Sequence, residues 1–230
     1  MADPVRRTIP NLLTGTRVLL AMAFFTVVIL ALWPRASGPG PDIRMVWGNV
    51  AVGIFVVAAV TDFADGFLAR RWGVVSVFGR VMDPFGDKLL VIGAFFLLAS
   101  PAFLPVTTSA DGTLTLELDP SGRVIPTSGV WPWMALVILG RELFVTSIRG
   151  VLEGRGIDFS AGWSGKGKMV LQSVAVPFAL FVAVNPFALA SEVWVVLRDV
   201  LVWATVVVTA WSAVPYLLRA RSLIDGDDPA

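Results

Sequence analysis

The chain has 230 residues, of which 56% are hydrophobic and only 15% charged, with a mean hydropathy of +0.79; this composition is too apolar for a soluble domain. It contains no His and no Cys, which excludes histidine bases, zinc sites built on His or Cys, thiolate nucleophiles, disulfides and iron–sulfur clusters. Any chemistry must therefore rest on carboxylates, Lys and Arg, hydroxyl groups and metal ions. Because the formal net charge is only +1, the positions of the charged residues along the chain indicate more about function than their sum.

Six apolar runs without a charged residue are distributed along the chain. Each can cross roughly 30 Å of hydrocarbon when its polar ends extend the helix, and they cover residues 18–34, 45–61, 89–110, 124–140, 169–191 and 200–218. Backbone polar groups in lipid must be paired within the protein, and continuous apolar runs favour helices over the alternating strands of a barrel. The sequence predicts an all-α integral membrane protein with six transmembrane helices in one domain, residues 1–222, followed by a short polar tail, residues 223–230.

The basic residues are divided unequally between the two sides of these spans. If the N-terminus is cytoplasmic, fourteen of the eighteen Lys and Arg residues fall on the inner side, and the outer side keeps Arg35, Arg44, Arg123 and Arg198. The positive-inside rule then places both termini in the cytoplasm. The first run is alternatively a signal peptide cleaved near residues 36–38, but the polar stretch at residues 11–17 favours an uncleaved helix.

Two loops are predicted on the outer side. Residues 34–41 are rich in Pro and Gly, and residues 109–128 are rich in Gly, Thr and Asp; both compositions are typical of loops. The second loop is long enough to be flexible, and it carries no pattern that indicates chemistry.

Four aspartates lie near the cytoplasmic ends of the second and third predicted helices. Asp62 and Asp65 are spaced i, i+3, and Asp83 and Asp87 are spaced i, i+4, so each pair projects from one helix face. The short connection predicts that the two helices are antiparallel neighbours, which brings the pairs together. Four carboxylates in a low-dielectric site repel one another unless cations neutralise them, and without His or Cys we expect a hard cation, Mg²⁺ or Mn²⁺, bound as two ions.

The simpler interpretation is that these aspartates anchor the helix ends by pairing with nearby basic residues, Arg70, Arg71, Arg80 and Lys88. Acids in transmembrane regions are costly and usually functional, and four of them at one membrane depth favour a site. Gly66 and Gly79 each lie about one helical turn from an aspartate, and because they lack side chains a backbone or a ligand can approach closely there.

Residues 62–87 read D-x2-D-G-x2-A-R-x8-G-x3-D-x3-D. This pattern resembles the signature of the CDP-alcohol phosphatidyltransferases, integral membrane enzymes of phospholipid synthesis, at all of its fixed positions, and the six-helix pattern extends the resemblance over nearly the whole chain. The resemblance implies transfer of a phosphatidyl group from CDP-diacylglycerol to an alcohol, with release of CMP. We expect a multi-pass protein of a bacterial inner membrane with its active site on the cytoplasmic side.

The resemblance also implies roles for individual residues. Asp62, Asp65 and Asp83 would hold a dinuclear Mg²⁺ site, and Asp87 would complete it and take the proton of the acceptor hydroxyl. Contacts to CDP-diacylglycerol are implied for Asn11, Thr14, Gly66, Arg70, Ser76 and Gly79. Two divalent ions can clamp a pyrophosphate and neutralise charge on the leaving CMP, and an arginine adds charge-assisted contacts to phosphate oxygens.

Basic residues further along the chain indicate an acceptor that carries a phosphate. Arg141 and Arg149 are eight residues apart, near one face of a helix, and Lys166 and Lys168 open the fifth helix after small residues, where a helix N-terminus favours an anion. Together with Arg17 they form the predicted acceptor phosphate site. The simpler interpretation is that these charges only mark the cytoplasmic side and that a neighbouring acid, Glu142, only orients Arg141.

Three motifs within the family resemble those of members that use glycerol 3-phosphate as acceptor: N-x2-T-x2-R at residues 11–17, R-E-x4-S-x-R at residues 141–149 and G-K-x-K at residues 165–168. Gly86 departs from the alanine that is common at its position.

Phosphatidylglycerol, an inositol phosphate and serine remain alternative acceptors, and a cation transporter is the alternative of a different class. We expect the lipid bilayer and, from the family, a second copy of the chain as partners, and no nucleic acid.

Overall fold

The computed structural model describes residues 4–33, 40–72, 77–109, 113–154 and 163–218. The helices within these ranges are α1 (Pro4–Val27), which continues as a π-helical segment (Val28–Leu32), α2 (Pro41–Trp72), α3 (Val77–Leu98), α4 (Pro132–Gly154), α5 (Trp163–Val184), α6 (Pro186–Leu189) and α7 (Glu192–Trp211). Four of them begin with proline, which suits the first helical position because its missing N–H would have no partner there. The predicted tail, residues 223–230, lies outside the described residues.

Four helical segments are long and apolar enough to cross a membrane: Gly15–Leu32, Pro41–Phe63, Gly167–Val184 and Glu192–Leu218. In α3 the apolar part, Lys88–Leu98, is shorter, and α4 contains Arg141, Glu142 and Arg149. The structure therefore supports a mostly helical integral membrane protein with four clear candidate spans among the described residues.

The prediction of an all-α fold is wrong in one detail. Strands β1 (Val106–Thr108) and β2 (Leu114–Leu116) form an antiparallel hairpin between α3 and α4, with Thr107 opposite Thr115. The predicted third span, residues 89–110, runs into this hairpin, whereas α3 ends at Leu98. Pro101 explains the end, because a residue before proline is pushed out of the helical region, and Ser100 is accordingly extended, with ψ of 168°.

The predicted fourth span, residues 124–140, is displaced from the observed helix. Helix α4 begins at Pro132 and runs to Gly154. Residues 126–129 form a turn before it, in which the N–H of Gly129 donates to the carbonyl of Pro126 over 2.9 Å and Gly129 has a φ of +70°, a left-handed conformation that glycine adopts without strain. The absence of charge alone could not distinguish this connection from the start of a helix.

The last two predicted spans also differ from the helices at their ends. The sequence predicts one span over residues 169–191. In the structure α5 ends at Val184, and Pro186 opens a separate short helix, α6. Helix α7 begins at Glu192, before the predicted start at residue 200. Arg198 and Asp199 lie inside α7 and pair with each other at 2.8 Å, so the charges do not end the helix.

Helices α1 and α5 organise the packing. Helix α1 lies against α2 and α3, while α5 lies against α2, α3 and α7, and α4 lies against α3 and α7. The core contains the buried rings of Phe24, Phe55 and Phe95, and Phe24 meets Phe55 edge to face with centroids 5.6 Å apart. The α2 and α3 segments that carry the aspartates are thus both held by the same two helices.

One end of the bundle is closed by hydrogen bonds between side chains and backbone carbonyls and by a pair of amides, and we call it the capped end. The side-chain amides of Asn49 in α2 and Asn185 after α5 exchange hydrogen bonds of 3.1 and 3.0 Å. Nearby, Gly48 lets α2 approach α5 closely, because a Cβ at residue 48 would lie 2.6 Å from the Cβ of Val184. Paired amides of this kind satisfy polar groups that lipid cannot.

The loop after the hairpin is also tied to the capped end. Ser128 donates to the carbonyl of Leu98 over 2.6 Å, Thr127 donates to the carbonyl of Phe103 over 3.0 Å, and the buried Arg198 donates to the carbonyl of Thr127 over 2.6 Å. The segment predicted as a flexible loop therefore begins in a hairpin and ends in a packed turn.

Asp119 closes a tight turn within the same loop. Its carboxylate accepts hydrogen bonds from the N–H of Arg123 over 2.8 Å and from the hydroxyl of Ser121 over 2.8 Å. These bonds stabilise the ionised form and lower the pKa of Asp119 to about 2. The carboxylate of Asp119 therefore stays ionised above about pH 2, and the turn loses this charged acceptor only in stronger acid.

The close approach of α2 and α5 gives a stability test. We expect Gly48→Ala to destabilise the protein by about 1 to 3 kcal/mol, because the new methyl group would overlap Val184. Gly53→Ala on the same helix is the matched control, since nothing lies within 4 Å of that position, and it should be neutral or stabilising by up to about 1 kcal/mol. Thermal unfolding of both variants in one detergent measures the difference; equal melting temperatures would contradict the packing.

Candidate active site

The four aspartates lie in helices at the end of the bundle opposite the capped end, which we call the aspartate end. Asp62 and Asp65 are in the second half of α2, and Asp83 and Asp87 are in the first half of α3. Of their side chains the structure describes Asp62. The side chains of the other three lie outside the described part, as do those of Asn11, Thr14, Arg70 and Lys166; Gly66 and Gly79 lie within α2 and α3, and Ser76 is outside the described residues.

Arg17 connects the two aspartate-bearing helices. Its guanidinium Nη2 lies 2.6 Å from Oδ1 of Asp62, and its side chain is 3% exposed. On the other side, a Cβ at Gly86 of α3 would lie 3.6 Å from the Cδ of Arg17. One side chain of α1 thus contacts α2 at Asp62 and α3 between Asp83 and Asp87, so these parts of the two helices lie close together.

This arrangement bears on two points of the sequence interpretation. The sequence places Arg17 in the acceptor phosphate site, which stays a prediction; in the structure Arg17 pairs with a predicted metal ligand, Asp62. Gly86 was noted as a departure from alanine, yet the 3.6 Å distance to Arg17 is an ordinary contact for a methyl group. The departure therefore leaves the packing around Arg17 unchanged.

The residues at this end fit a hard divalent cation by their chemistry. The carboxylate of Asp62 is 28% exposed, so it retains access for a further ligand, and oxygen donors are what Mg²⁺ and Mn²⁺ prefer. The described side chains contain no group of three or more acids that could hold a metal. The full ligand set of Asp62, Asp65, Asp83 and Asp87 therefore stays a prediction.

A second charged group lies beside the aspartates, centred on Glu142 of α4. The carboxylate Oε1 of Glu142 accepts a hydrogen bond from Nη1 of Arg141 over 3.1 Å and another from Nζ of Lys168 in α5. All three residues are buried, with exposures of 8%, 8% and 6% for Arg141, Glu142 and Lys168. Burying a charge is costly unless it is paired, so one carboxylate here offsets two cations from two helices.

Lys88 joins this group to the aspartates. Lys88 directly follows Asp87 in α3, and its ammonium donates a hydrogen bond to the hydroxyl of Thr146 in α4. Thr146 in turn donates to the carbonyl of Glu142 over 2.7 Å. The predicted donor and acceptor sides of the site are therefore neighbours across the contact between α3 and α4.

Arg149 lies two helical turns beyond Arg141 on α4, as predicted. Its Nε is buried and has no hydrogen-bond partner among the described residues. A buried donor without a partner costs about 1 to 3 kcal/mol, and a bound anion would satisfy it. Of the described cations, Arg141 and Lys168 share the single carboxylate of Glu142, so an anion bound beside them would meet two positive charges offset by one acid.

Sequence reasoning missed the contribution of the last helix. Thr205 and Thr209 in α7 and Ser212 and Tyr216 just beyond it follow one another at intervals of four, three and four residues, the spacing of one helix face. All four are buried, and we call them the hydroxyl stripe. The spacing of hydroxyl residues in an otherwise apolar segment was the available signal, and Ser212 accepts a hydrogen bond of 2.8 Å from Nε of Arg141.

The chain is similar to known proteins over most of its length. Residues 7–211 match the family model of the CDP-alcohol phosphatidyltransferases. Curated relatives named CDP-diacylglycerol–glycerol-3-phosphate 3-phosphatidyltransferase include one from Bacillus subtilis, 31% identical over 92% of this chain and 94% of the relative. Those from Escherichia coli K12 and Salmonella typhimurium are 32% and 33% identical, each over 93% of this chain and over 95% and 94% of their own lengths.

The shared carboxylate gives a test at this site. Glu142→Ala should destabilise the protein by about 3 to 5 kcal/mol, because it leaves Arg141 and Lys168 buried without a counter-charge. The control is Glu192→Ala, an exposed acid in the first turn of α7, for which the loss should stay below about 1 kcal/mol. Thermal unfolding in detergent compares the two, and a similar loss in both variants would contradict the buried network.

Proposed function

Because the chain belongs to the CDP-alcohol phosphatidyltransferase family, we propose that it transfers the phosphatidyl group of CDP-diacylglycerol to glycerol 3-phosphate, giving phosphatidylglycerophosphate and CMP. The observation that carries this proposal is the pair of buried cations Arg141 and Lys168 beside the aspartate-bearing helices, with the buried Nε of Arg149 two turns further along α4. The names of the relatives describe the same donor and acceptor.

The donor side of the proposal rests on the four aspartates. Asp62, Asp65, Asp83 and Asp87 would hold two Mg²⁺ or Mn²⁺ ions. Such ions, when bound, neutralise charge on a pyrophosphate and on the leaving CMP. Contacts to CDP-diacylglycerol come from Asn11, Thr14, Gly66, Arg70, Ser76 and Gly79.

Proton transfer from the acceptor hydroxyl is assigned to Asp87. The attacking oxygen forms its bond to the phosphorus that carries diacylglycerol, the bond to CMP breaks, and the hydroxyl proton passes to the Asp87 carboxylate. Lys88, the next residue, is held by Thr146 of α4. This contact supports the assignment, because it keeps the Asp87 segment beside the helix that carries the acceptor residues.

The acceptor side is a phosphate site formed by Arg17, Arg141, Arg149, Lys166 and Lys168. A phosphate monoester carries a charge near −2 at neutral pH, and it suits the buried cations Arg141 and Lys168, which share one acid, Glu142. Arginine binds phosphate oxygens through its planar fork, and lysine acts as a point charge. Serine, which lacks a phosphate, would leave these cations without their counter-charge.

The same proposal includes six membrane spans with both termini and the site in the cytoplasm. Tryptophans occur near both ends of α2, at Trp47 and Trp72, and near both ends of α7, at Trp194 and Trp211, as is typical of the two bilayer interfaces. The donor has lipid chains while glycerol 3-phosphate and CMP are water-soluble, so the reacting groups must meet at a membrane edge. The positive-inside rule makes that edge cytoplasmic.

Removal of one aspartate tests the donor side. Asp62→Asn and Asp83→Asn should each lower CMP release by at least about 10²-fold, because loss of one ligand weakens the hold on the metal ions, and excess chelator should do the same to the wild type. Asp42→Asn is the matched control, at the opposite end of α2 from Asp62. Near-normal turnover in either site variant, or in chelator, contradicts the metal-dependent proposal.

Removal of one cation tests the acceptor side. Arg149→Ala should raise the KM for glycerol 3-phosphate by about 10- to 150-fold, the cost of a charge-assisted contact in a partly dehydrated site, and leave the KM for CDP-diacylglycerol nearly unchanged. Arg123→Ala, on the loop, is the control, since that side chain is 71% exposed. Steady-state CMP release with varied acceptor measures both constants, and glycerol serves as the phosphate-free comparison. Equal use of glycerol and glycerol 3-phosphate by the wild type overturns the acceptor assignment.

A further inference from the structure

The hydroxyl stripe differs along its length in what it contacts. Thr205 donates only to the carbonyl of Leu201, in its own helix, over 2.7 Å. Thr209 accepts a hydrogen bond from the Nε2 of Gln172 in α5 over 3.2 Å. Ser212 and Tyr216 both reach Arg141 in α4. The stripe therefore begins as a helix-internal feature and ends at the predicted acceptor site.

The end of α7 shapes this contact. Pro215 has no N–H, so the carbonyl of Trp211 lacks its usual helical donor, and α7 ends at Trp211. Residues 212–213 form a turn, and residues 214–218 are helical again. Ser212 lies in the turn, with its hydroxyl donating to the carbonyl of Thr209 over 2.6 Å; its oxygen is thus oriented to accept from Arg141.

Arg141 is held on three sides by these contacts. Its Nε donates to Ser212 over 2.8 Å, its Nη1 donates to Glu142 over 3.1 Å, and its guanidinium carbon lies 5.8 Å from the centroid of the Tyr216 ring, within the range of a cation–π interaction. Within the described part of the chain, Nη2 of Arg141 makes no hydrogen bond. Both N–H groups of Nη2 are therefore available to a ligand.

We propose that Ser212 and Tyr216 are positioning residues for the acceptor: they fix the guanidinium of Arg141 so that Nη2 faces the phosphate of the incoming alcohol. This inference rests on the proposed function, since it assigns Arg141 to the acceptor. A free arginine side chain must lose rotamer entropy when it binds phosphate, whereas a guanidinium already held by Ser212, Glu142 and Tyr216 has lost it on folding. Preorganisation of this kind improves binding of the ligand.

The first experiment measures the KM for the acceptor and the KM for the donor in variants of Ser212 and Tyr216. Ser212→Ala should raise the KM for glycerol 3-phosphate by about 3- to 10-fold, the effect of one lost hydrogen bond, with the KM for CDP-diacylglycerol unchanged. Ser212→Thr, which keeps the hydroxyl, should restore the wild-type value. Tyr216→Leu should raise the acceptor KM by a similar factor, and Tyr216→Phe, which keeps the ring, should change it little.

Thr205→Val is the matched control, because it removes a buried hydroxyl from the same stripe that bonds only within α7. It should leave both KM values unchanged. If Ser212→Ala and Thr205→Val shift kcat and both KM values alike, Ser212 has only a structural role and the inference is wrong. The same conclusion follows if Ser212→Ala and Tyr216→Leu both keep the wild-type acceptor KM.

A second measurement separates this inference from the proposed function. In protein labelled with ¹⁵N-arginine, the Nε–H signal of Arg141, identified by its absence in Arg141→Lys, should exchange slowly with water and should exchange faster in Ser212→Ala. The arrangement of Arg141 is thereby tested without turnover. A wild type that releases no CMP with any phosphorylated acceptor overturns the proposed function and the acceptor role, whereas unchanged exchange in Ser212→Ala overturns the positioning alone.

Discussion

The carboxylate of Glu142 is the interaction on which the charged half of this protein depends. It accepts from Arg141 and from Lys168, two cations on different helices that are each buried where water cannot solvate them. Without it, α4 and α5 would meet through like charges. Through Arg141 the same network extends to Ser212 and Tyr216 after α7, so one acid fixes the relative placement of three helices.

The two ends of the bundle solve the problem of buried polar groups differently. At the capped end the polar groups are paired, the amides of Asn49 and Asn185 with each other and the guanidinium of Arg198 with the carbonyl of Thr127 and the carboxylate of Asp199. The aspartate end keeps charges, among them Asp62 and Arg17, together with a buried donor on Arg149 that has no partner among the described residues. A bundle held firmly at one end can keep costly, incompletely paired groups at the other, which is where ligand chemistry is expected.

Arg17 and Lys88 connect the parts of the charged end into one site. Arg17 lies between Asp62 and the α3 turn at Gly86, and Lys88 extends from that helix to Thr146 on α4. The sequence assigns Arg17 to the acceptor phosphate and explains Lys88 by topology, as a basic residue near a membrane edge. Their contacts give each of them a second, local function in aligning α1, α3 and α4.

The sequence by itself determined the membrane class, the family resemblance and the pairing of aspartates by spacing, because hydropathy, motif and helical period are local properties. It misplaced the start of α4, since the buried turn at Gly129 carries no charge to mark it, and the end of α3, since Pro101 ends that helix within an uncharged run. Only the tertiary structure decided that Arg17 meets Asp62, that Glu142 is shared by Arg141 and Lys168, and that Ser212 holds Arg141. Those contacts join residues far apart in the chain, and their partners are chosen by helix packing, which local pattern does not specify.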